Sequence, residues 1–374
     1  MISTYDAVVI GAGIVGAACA CELARAGMRT AIVEASIVGG GATAAGMGHI
    51  VVMDDSPAQL ALTQYSQSLW NEIAPQLPAN VEYDRCGTLW IAADDEEMQE
   101  VRRKQAVYAS VNVRTEVLDS RALSEAEPNL RRPLAGALLV PSDAVLYPPC
   151  AAVYLLECAK QAGAALYIGN AVAKAERGRV TFSDGTELSA ALIIHATGAG
   201  ATRLMPHLPI RKRKGHLVIT DRYPDFVRHQ LVELGYLKSA HSITSDSVAF
   251  NVQPRRTGQL LIGSSRQYDN EGAGVDQKVV SAMLARAFDY IPSMKELSSI
   301  RVWTGFRAAT PDKLPLIGPT EDPSVFLATG HEGLGITTSL ATARLLTDHL
   351  LQRGTSIPLG PYLPERFARE VIYA

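Results

Sequence analysis

The sequence predicts an α/β fold: a parallel sheet flanked by helices, interrupted by a smaller α+β unit with a mainly antiparallel sheet. Three observations predict it. The chain opens with an apolar strand, a glycine-rich turn, a helix rich in alanine and leucine, and a second apolar strand, all within residues 6–34. That order is a βαβ unit. Two more short apolar runs ending in glycine, at 191–198 and 325–330, lie far down the chain and read as further strands of the same parallel sheet. Between them, residues 81–92 and 210–263 alternate apolar with polar residues and are rich in β-branched and aromatic side chains, the pattern of antiparallel strands.

The elements follow in order. Residues 6–10 form a buried strand that stops at Gly11, and residues 14–26 form a helix closed by Gly27, a residue suited to the position after a helix end. Residues 29–34 are the second strand, and residues 96–111 a surface helix. The strand at 325–330 leads into a helix over 336–351. A chain of 374 residues is too long for one simple core, so two domains are expected. Residues 1–80, 144–208 and 304–374 make the discontinuous parallel-sheet domain. Residues 81–143 and 209–303 make the second.

Composition narrows the function classes. Hydrophobic residues at 47% and charged residues at 20% are those of a soluble globular protein. A net charge of −3 gives no basis for a nucleic-acid or acidic-lipid partner. The run Arg211-Lys212-Arg213-Lys214 reads as a solvated basic surface. The five cysteines, Cys19, Cys21, Cys86, Cys150 and Cys158, form no CxxC pair, so no zinc or iron–sulfur site is expected. An odd cysteine count fits a reducing cytoplasm. The apolar stretch 7–20 is broken by three glycines and preceded by Asp6, so it reads as strand and helix and not as a secretory leader. No other uncharged stretch reaches the ~18 residues a membrane span needs.

The turn after the first strand reads Gly11-Ala12-Gly13-Ile14-Val15-Gly16, and Glu34 ends the second strand. Gly11 permits the tight turn, Gly13 lets the backbone approach a pyrophosphate, and Gly16 allows close packing of helix on strand. The helix N-terminus faces the phosphates. Glu34 accepts hydrogen bonds from ribose hydroxyls, and its charge argues against a 2′-phosphate. The glycine pattern alone is weak evidence; its place between strand and helix, with the acid at the end of the next strand, makes it specific. This is a Rossmann-type nucleotide site, and NAD and FAD share it. The segment 39–48, which holds Ala42, Thr43, Ala44, Gly46, Met47 and Gly48, allows a backbone to lie against a bulky flat ring. A flexible surface loop is the alternative.

With these motifs the chain resembles the D-amino-acid oxidase/glycine oxidase superfamily of FAD-dependent oxidoreductases, over almost its whole length. The βαβ start and the small-residue segment match. So does Ala196-Thr197-Gly198-Ala199, the strand-end turn that approaches FAD. Trp303-Thr-Gly305-Phe-Arg307-Ala-Ala-Thr-Pro-Asp312 followed by Leu316-Ile-Gly318 looks like a family signature, and Ala328-Thr-Gly330-His331-Glu332-Gly333-Leu334-Gly335-Ile336 looks like its glycine-rich loop. Four motifs in order carry the resemblance. It implies a glutathione-reductase-like FAD-binding domain, FAD as cofactor, and a small amino or imino acid as substrate. No cysteine follows Cys158, so the covalent attachment known in monomeric sarcosine oxidases is not expected and FAD is held non-covalently. Residues 46–55 look more like those of flavoprotein subunits of D-hydroxyproline dehydrogenases than those of glycine oxidases. That implies cis-4-hydroxy-D-proline or D-proline as substrate and leaves open partner subunits carrying iron–sulfur clusters or another flavin. A glycine- or sarcosine-type oxidase is the other enzyme reading, and an electron-relay subunit the third.

The expected chemistry is hydride transfer from Cα to flavin N5, leaving an imine, a reaction that needs positioning more than acid–base catalysis. Arg307 is the expected clamp on the substrate carboxylate, because a guanidinium binds a carboxylate through two parallel hydrogen bonds. A structural ion pair to Asp312 is the alternative. The loop carrying Gly333, Leu334, Gly335, Ile336 and Thr337 would offer positive potential to the reduced flavin. His331 contacts the flavin or braces that loop, and Glu332 is expected to point away. His49 and Met53 are read as pocket-lining, Val172 as meeting the adenine, and Thr197, Gly198 and Gly305 as flavin contacts. Tyr236, Arg266 and Tyr268 are weaker candidates on the substrate side.

Overall fold

The computed structural model describes residues 4–235, 247–268 and 270–367. Its first sheet has eight strands: β1 (Thr4–Ile10), β2 (Thr30–Glu34), β8 (Ala165–Ile168), β9 (Val172–Glu176), β10 (Arg179–Phe182), β11 (Glu187–His195), β17 (Leu316–Pro319) and β18 (Val325–Thr329). The main path runs β17-β18-β11-β1-β2-β8, and β9 and β10 form a hairpin beside β11. The pairs of β1 with β2 and β11, β2 with β8, and β11 with β18 are parallel. Strand order reverses at β1, and the crevice beyond the carboxyl ends at such a point is where α/β sheets bind ligands.

The helix Ile14–Arg25 follows β1 directly and ends at Gly27, whose φ is +88°. It is buried on nearly every side, because it is wedged between the sheet and the helices Pro148–Gln161 and Gly335–Leu350. Such a position demands small residues, which explains the run Ala17, Ala18, Cys19, Ala20, Cys21. Arg344 and Glu22 pair at 2.8 Å at the edge of this packing.

The second sheet runs β16-β12-β15-β14-β13-β4-β6-β5, with β4 (Thr88–Ala92), β5 (Glu116–Asp119), β6 (Gly136–Val140), β12 (Arg211–Arg222), β13 (Gln230–Glu233), β14 (Ser247–Pro254), β15 (Gln259–Arg266) and β16 (Ser299–Ala309). All its pairings are antiparallel except β4 with β13. One face packs on the helix Gln277–Tyr290, where Phe250 stacks on Tyr290 at 4.4 Å. The opposite face looks onto the crevice of the first sheet. A small ribbon of β3 (His49–Ile50) and β7 (Ala144–Val145) links the two regions.

The α/β architecture with an inserted, mainly antiparallel sheet is the one expected. Details differ. Of residues 81–92 only the last five form a strand, and all five are buried, since this strand is central and covered on both faces. The strand expected at 191–198 starts earlier, at Glu187, and yields at Thr197 to a short 3₁₀ turn. The helix Asp95–Ser110 lies at the surface but buries Val101, Lys104 and Tyr108. Strand β16 carries residues on both sides of the expected domain boundary at 303/304.

The basic run at 211–214 departs most from expectation. Arg211 is exposed, but Arg213 and Lys214 are only 4% and 2% exposed. Strand β12 lies between β16 and β15, so alternate side chains enter opposite buried faces. Lys214 Nζ donates to Gly274 O at 2.6 Å, while Arg213 turns to the crevice.

Candidate active site

A cleft of about 890 Å³ runs between the two sheets and is lined by residues from both. At one end lie Glu34, Ala35, Ser36, Asn170, Ala171 and Val172. Glu34 is fixed there: its Oε2 accepts from Ala12 N at 2.8 Å and its Oε1 from Ser36 N at 2.8 Å. The turn at Gly11 has φ +102°, and a Cβ there would stand 2.7 Å from Ala196 O. At Gly16 a Cβ would stand 1.9 Å from Gly11 O, so only glycine lets the helix start this close to the strand end. Thr43 Oγ1 accepts from Ile14 N at 3.1 Å and so joins the small-residue segment to the turn.

That segment is a short helix, Gly41–Ala45, and not a loop, with extended backbone at Gly46. Its small side chains are set by close neighbours. A Cβ at Gly46 would meet Ile336 Cδ1 at 2.6 Å, and one at Gly305 would meet Ala45 Cβ at 2.3 Å. Met47 O accepts from Gln253 Nε2 at 2.7 Å, which ties the segment to β14. Thr337 Oγ1 donates to His49 O at 2.8 Å and ties it to the helix Gly335–Leu350.

Gly11, Gly13, Ile14, Val15, Glu34, Ala42, Thr43, Gly46, Met47, Gly48, His49, Met53, Val172, Thr197, Gly198, Gly305, Arg307, His331, Glu332, Gly333, Leu334, Gly335 and Ile336 all line the cleft, as does Arg266. Ala12, Gly16, Ala44 and Thr337 do not. Ala12 is fully buried and only its N–H serves the site, through Glu34. Gly16 lies beneath the turn, Ala44 is exposed on the outer side of its short helix, and Thr337 acts from below through His49 O. Tyr236 lies outside the described residues.

Another part of the cleft is dominated by arginines. Arg213 and Arg307 are cross-strand partners on β12 and β16. Arg307 reaches across β12: a Cβ at Gly215 would stand 2.5 Å from its Nη1, and that nitrogen donates to Ser265 O of β15 at 3.1 Å. Burial, with Arg213 nearby, pushes Arg307 down to about 9, and burial with Arg213 and Arg307 does the same to Arg266. Arg307 has no carboxylate partner among the described residues. Asp312 instead pairs with Arg366 at 2.7 Å. Arg213 forms an ion pair with Glu332 and donates to the Tyr268 hydroxyl at 3.2 Å. Glu332 therefore does not point away, as its charge suggested: Arg213, unrecognised within a basic run, compensates it. Nearby, Lys313 and Asp55 pair at 3.5 Å.

Two histidines of the cleft, His331 and His49, are held neutral by burial. Burial pushes His331 down to about 3, and its Nε2 lies 3.0 Å from Thr342 Oγ1 on the helix that follows. Burial likewise lowers His49 to about 4. None of the five cysteines lines the cleft.

The model of the DAO family, FAD dependent oxidoreductases, matches residues 6–349. The chain belongs to this family. It is 28% identical to a glycine oxidase from Geobacillus kaustophilus, over 97% of each chain. It is 27% identical to the hydrogen cyanide synthase subunit HcnC of Pseudomonas aeruginosa, over 99% of this chain and 98% of that one. The crystal structure of glycine oxidase from Geobacillus kaustophilus superposes with a TM-score of 0.87 at 26% identity, covering 97% of this chain and 99% of that one. The protein is an FAD-dependent oxidoreductase. The residues present fit that cofactor: the glycine cradle, the fixed Glu34 and the small-residue segment form a continuous wall of the cleft. No helix among the described residues is long and apolar enough to cross a membrane.

Proposed function

We propose that the enzyme oxidises the α C–N bond of a small D-amino or cyclic imino acid to the imine, with cis-4-hydroxy-D-proline or D-proline favoured. One observation carries the reading. Arg307 stands partly buried in the cleft wall, where among the described residues it donates to a backbone carbonyl and pairs with no carboxylate, and a cation drawn out of water needs an anion to complete it. A substrate carboxylate supplies that anion in bidentate geometry and fixes Cα–H towards the cofactor.

When bound, FAD would supply the redox chemistry as hydride acceptor. Residues Gly11, Gly13 and Thr43 would hold its pyrophosphate and Glu34 its ribose, with Gly46–Gly48 and the 330–336 loop along the ring. That loop leads into the helix Gly335–Leu350, whose N-terminus offers positive potential where reduction places negative charge. Arg213 keeps Glu332 from opposing it. Neutral His331, bonded to Thr342, braces the loop, and neutral His49 adds no charge to the cleft. The substrate amine enters uncharged, so no general base is required.

Two relatives favour different electron acceptors. The likeness to a glycine oxidase supports direct reaction with O2. The likeness to a synthase subunit supports transfer through partner chains. Anaerobic bleaching of the flavin by D-proline, cis-4-hydroxy-D-proline, glycine and sarcosine tests the first half of the reaction. No bleaching by any of them refutes the reading. Peroxide formed mole for mole with substrate in air identifies an oxidase, and turnover only with dye acceptors identifies a dehydrogenase.

A further inference from the structure

The crevice-facing side of the second sheet is apolar at Leu217 and Val232 but carries a group of buried polar side chains beside Val232. Leu89, Ile91, Leu231, Phe250, Val252, Leu260 and Ile262 pack on the other side. Facing the cleft from the intervening positions are Trp90, Gln230 and Asn251. Val232 pairs with both Trp90 and Asn251, so these three stand abreast, with Gln230 two residues along from Val232. Trp90 and Gln230 are 3% exposed and Asn251 8%. Yet Trp90 Nε1, Gln230 Oε1 and Asn251 Oδ1 have no hydrogen-bond partner among the described residues. Buried polar groups are normally paired, and a cluster of unpaired ones in a ligand cleft points to a ligand.

We propose that Trp90, Gln230 and Asn251 form a neutral polar subsite that receives a hydroxyl on the ring or side chain of the substrate. The inference rests on the carboxylate-clamp reading of Arg307. An alcohol both donates and accepts, so one hydroxyl satisfies the indole N–H and a carboxamide oxygen together. The subsite carries no charge of its own: Lys104 lies over the Trp90 ring at 4.4 Å but is paired with Asp54. A second carboxylate would find no cation there. Position fits a small substrate as well. The head of Arg307 is anchored on β15 at Ser265, and β14 is the next strand. Asn251 therefore lies ~5 Å across the sheet and two residues along it from the clamp.

The test uses holoenzyme and two carbocyclic acids that lack nitrogen, cyclopentanecarboxylate and cis-3-hydroxycyclopentanecarboxylate. Binding is read from perturbation of the flavin spectrum, so no oxidation is required. The hydroxylated ring is expected to bind at least ~10-fold tighter, because a site built for a hydroxyl discriminates against its absence. Trp90→Phe and Asn251→Leu should each bring the affinity ratio towards one. Equal affinities in the unmodified enzyme, a ratio untouched by both substitutions, or failure of both rings to bind would overturn the subsite. A hydroxyl preference without any flavin reduction by amino or imino acids would uphold the subsite and refute the reaction proposed above. Reduction by D-proline with no hydroxyl preference would do the reverse.

Discussion

Gly215 sits under the Arg307 side chain, and replacing it by alanine isolates the positioning of the clamp from its chemistry. The added Cβ would stand 2.5 Å from Nη1, 2.9 Å from Nη2 and 3.0 Å from Cζ, where ordinary contact is 3.4–4 Å. The guanidinium must therefore lift by roughly 1 Å, the size of misplacement that can lower a rate ~100-fold. The cost to the fold is small. Residue 215 lies outside the left-handed region of backbone space, and the atoms it meets are the far end of a flexible side chain. Gly215→Ala should keep its FAD and unfold within a few degrees of the parent. Its rate of anaerobic flavin reduction over substrate dissociation constant, measured by stopped flow, should fall between ~10- and ~100-fold. An unchanged ratio would show that the clamp is not held where β12 places it, and an equal loss of FAD would show that the substitution disrupts the site generally.

Arg307→Met should abolish saturation by carboxylate substrates, weakening them by ~100-fold or more, while FAD stays bound; retained substrate affinity would remove the clamp from the mechanism. Asp143 is buried, and burial pushes it up to about 7, while its Oδ1 accepts from Gln67 Nε2 at 2.8 Å. The folded state thus holds a proton that the unfolded chain releases, so this group costs stability progressively as pH rises from about 4 towards 7. Asp143→Asn should melt higher relative to the parent at pH 8 than at pH 4, and a difference in Tm that does not vary with pH would refute the sign.

Legibility in the sequence followed locality. The strand, turn, helix and second strand at 6–34 could be read residue by residue, because each role there is set by neighbours within a few positions: Gly11 by its φ, Gly16 by the carbonyl it would strike, Glu34 by the strand it ends. Arg307 was legible through its motif. Arg213 was not, because four consecutive basic residues look solvated unless the run is known to be a strand with two buried faces. The alternation around it was the one signal that could have separated Arg213 from Arg211. Glu332 was misjudged for the same reason, since its partner lies 119 positions earlier in the chain.

By itself, the sequence determined the nucleotide-binding unit, the FAD family and the α/β fold with its inserted sheet, since these depend on short-range spacing and periodicity. Tertiary structure alone decided that Arg213 enters the cleft instead of solvent, what neutralises Glu332, and that Trp90, Gln230 and Asn251 meet in one cleft. Those residues come from different strands brought side by side by sheet pairing, and pairing is fixed by long-range packing that no local pattern records.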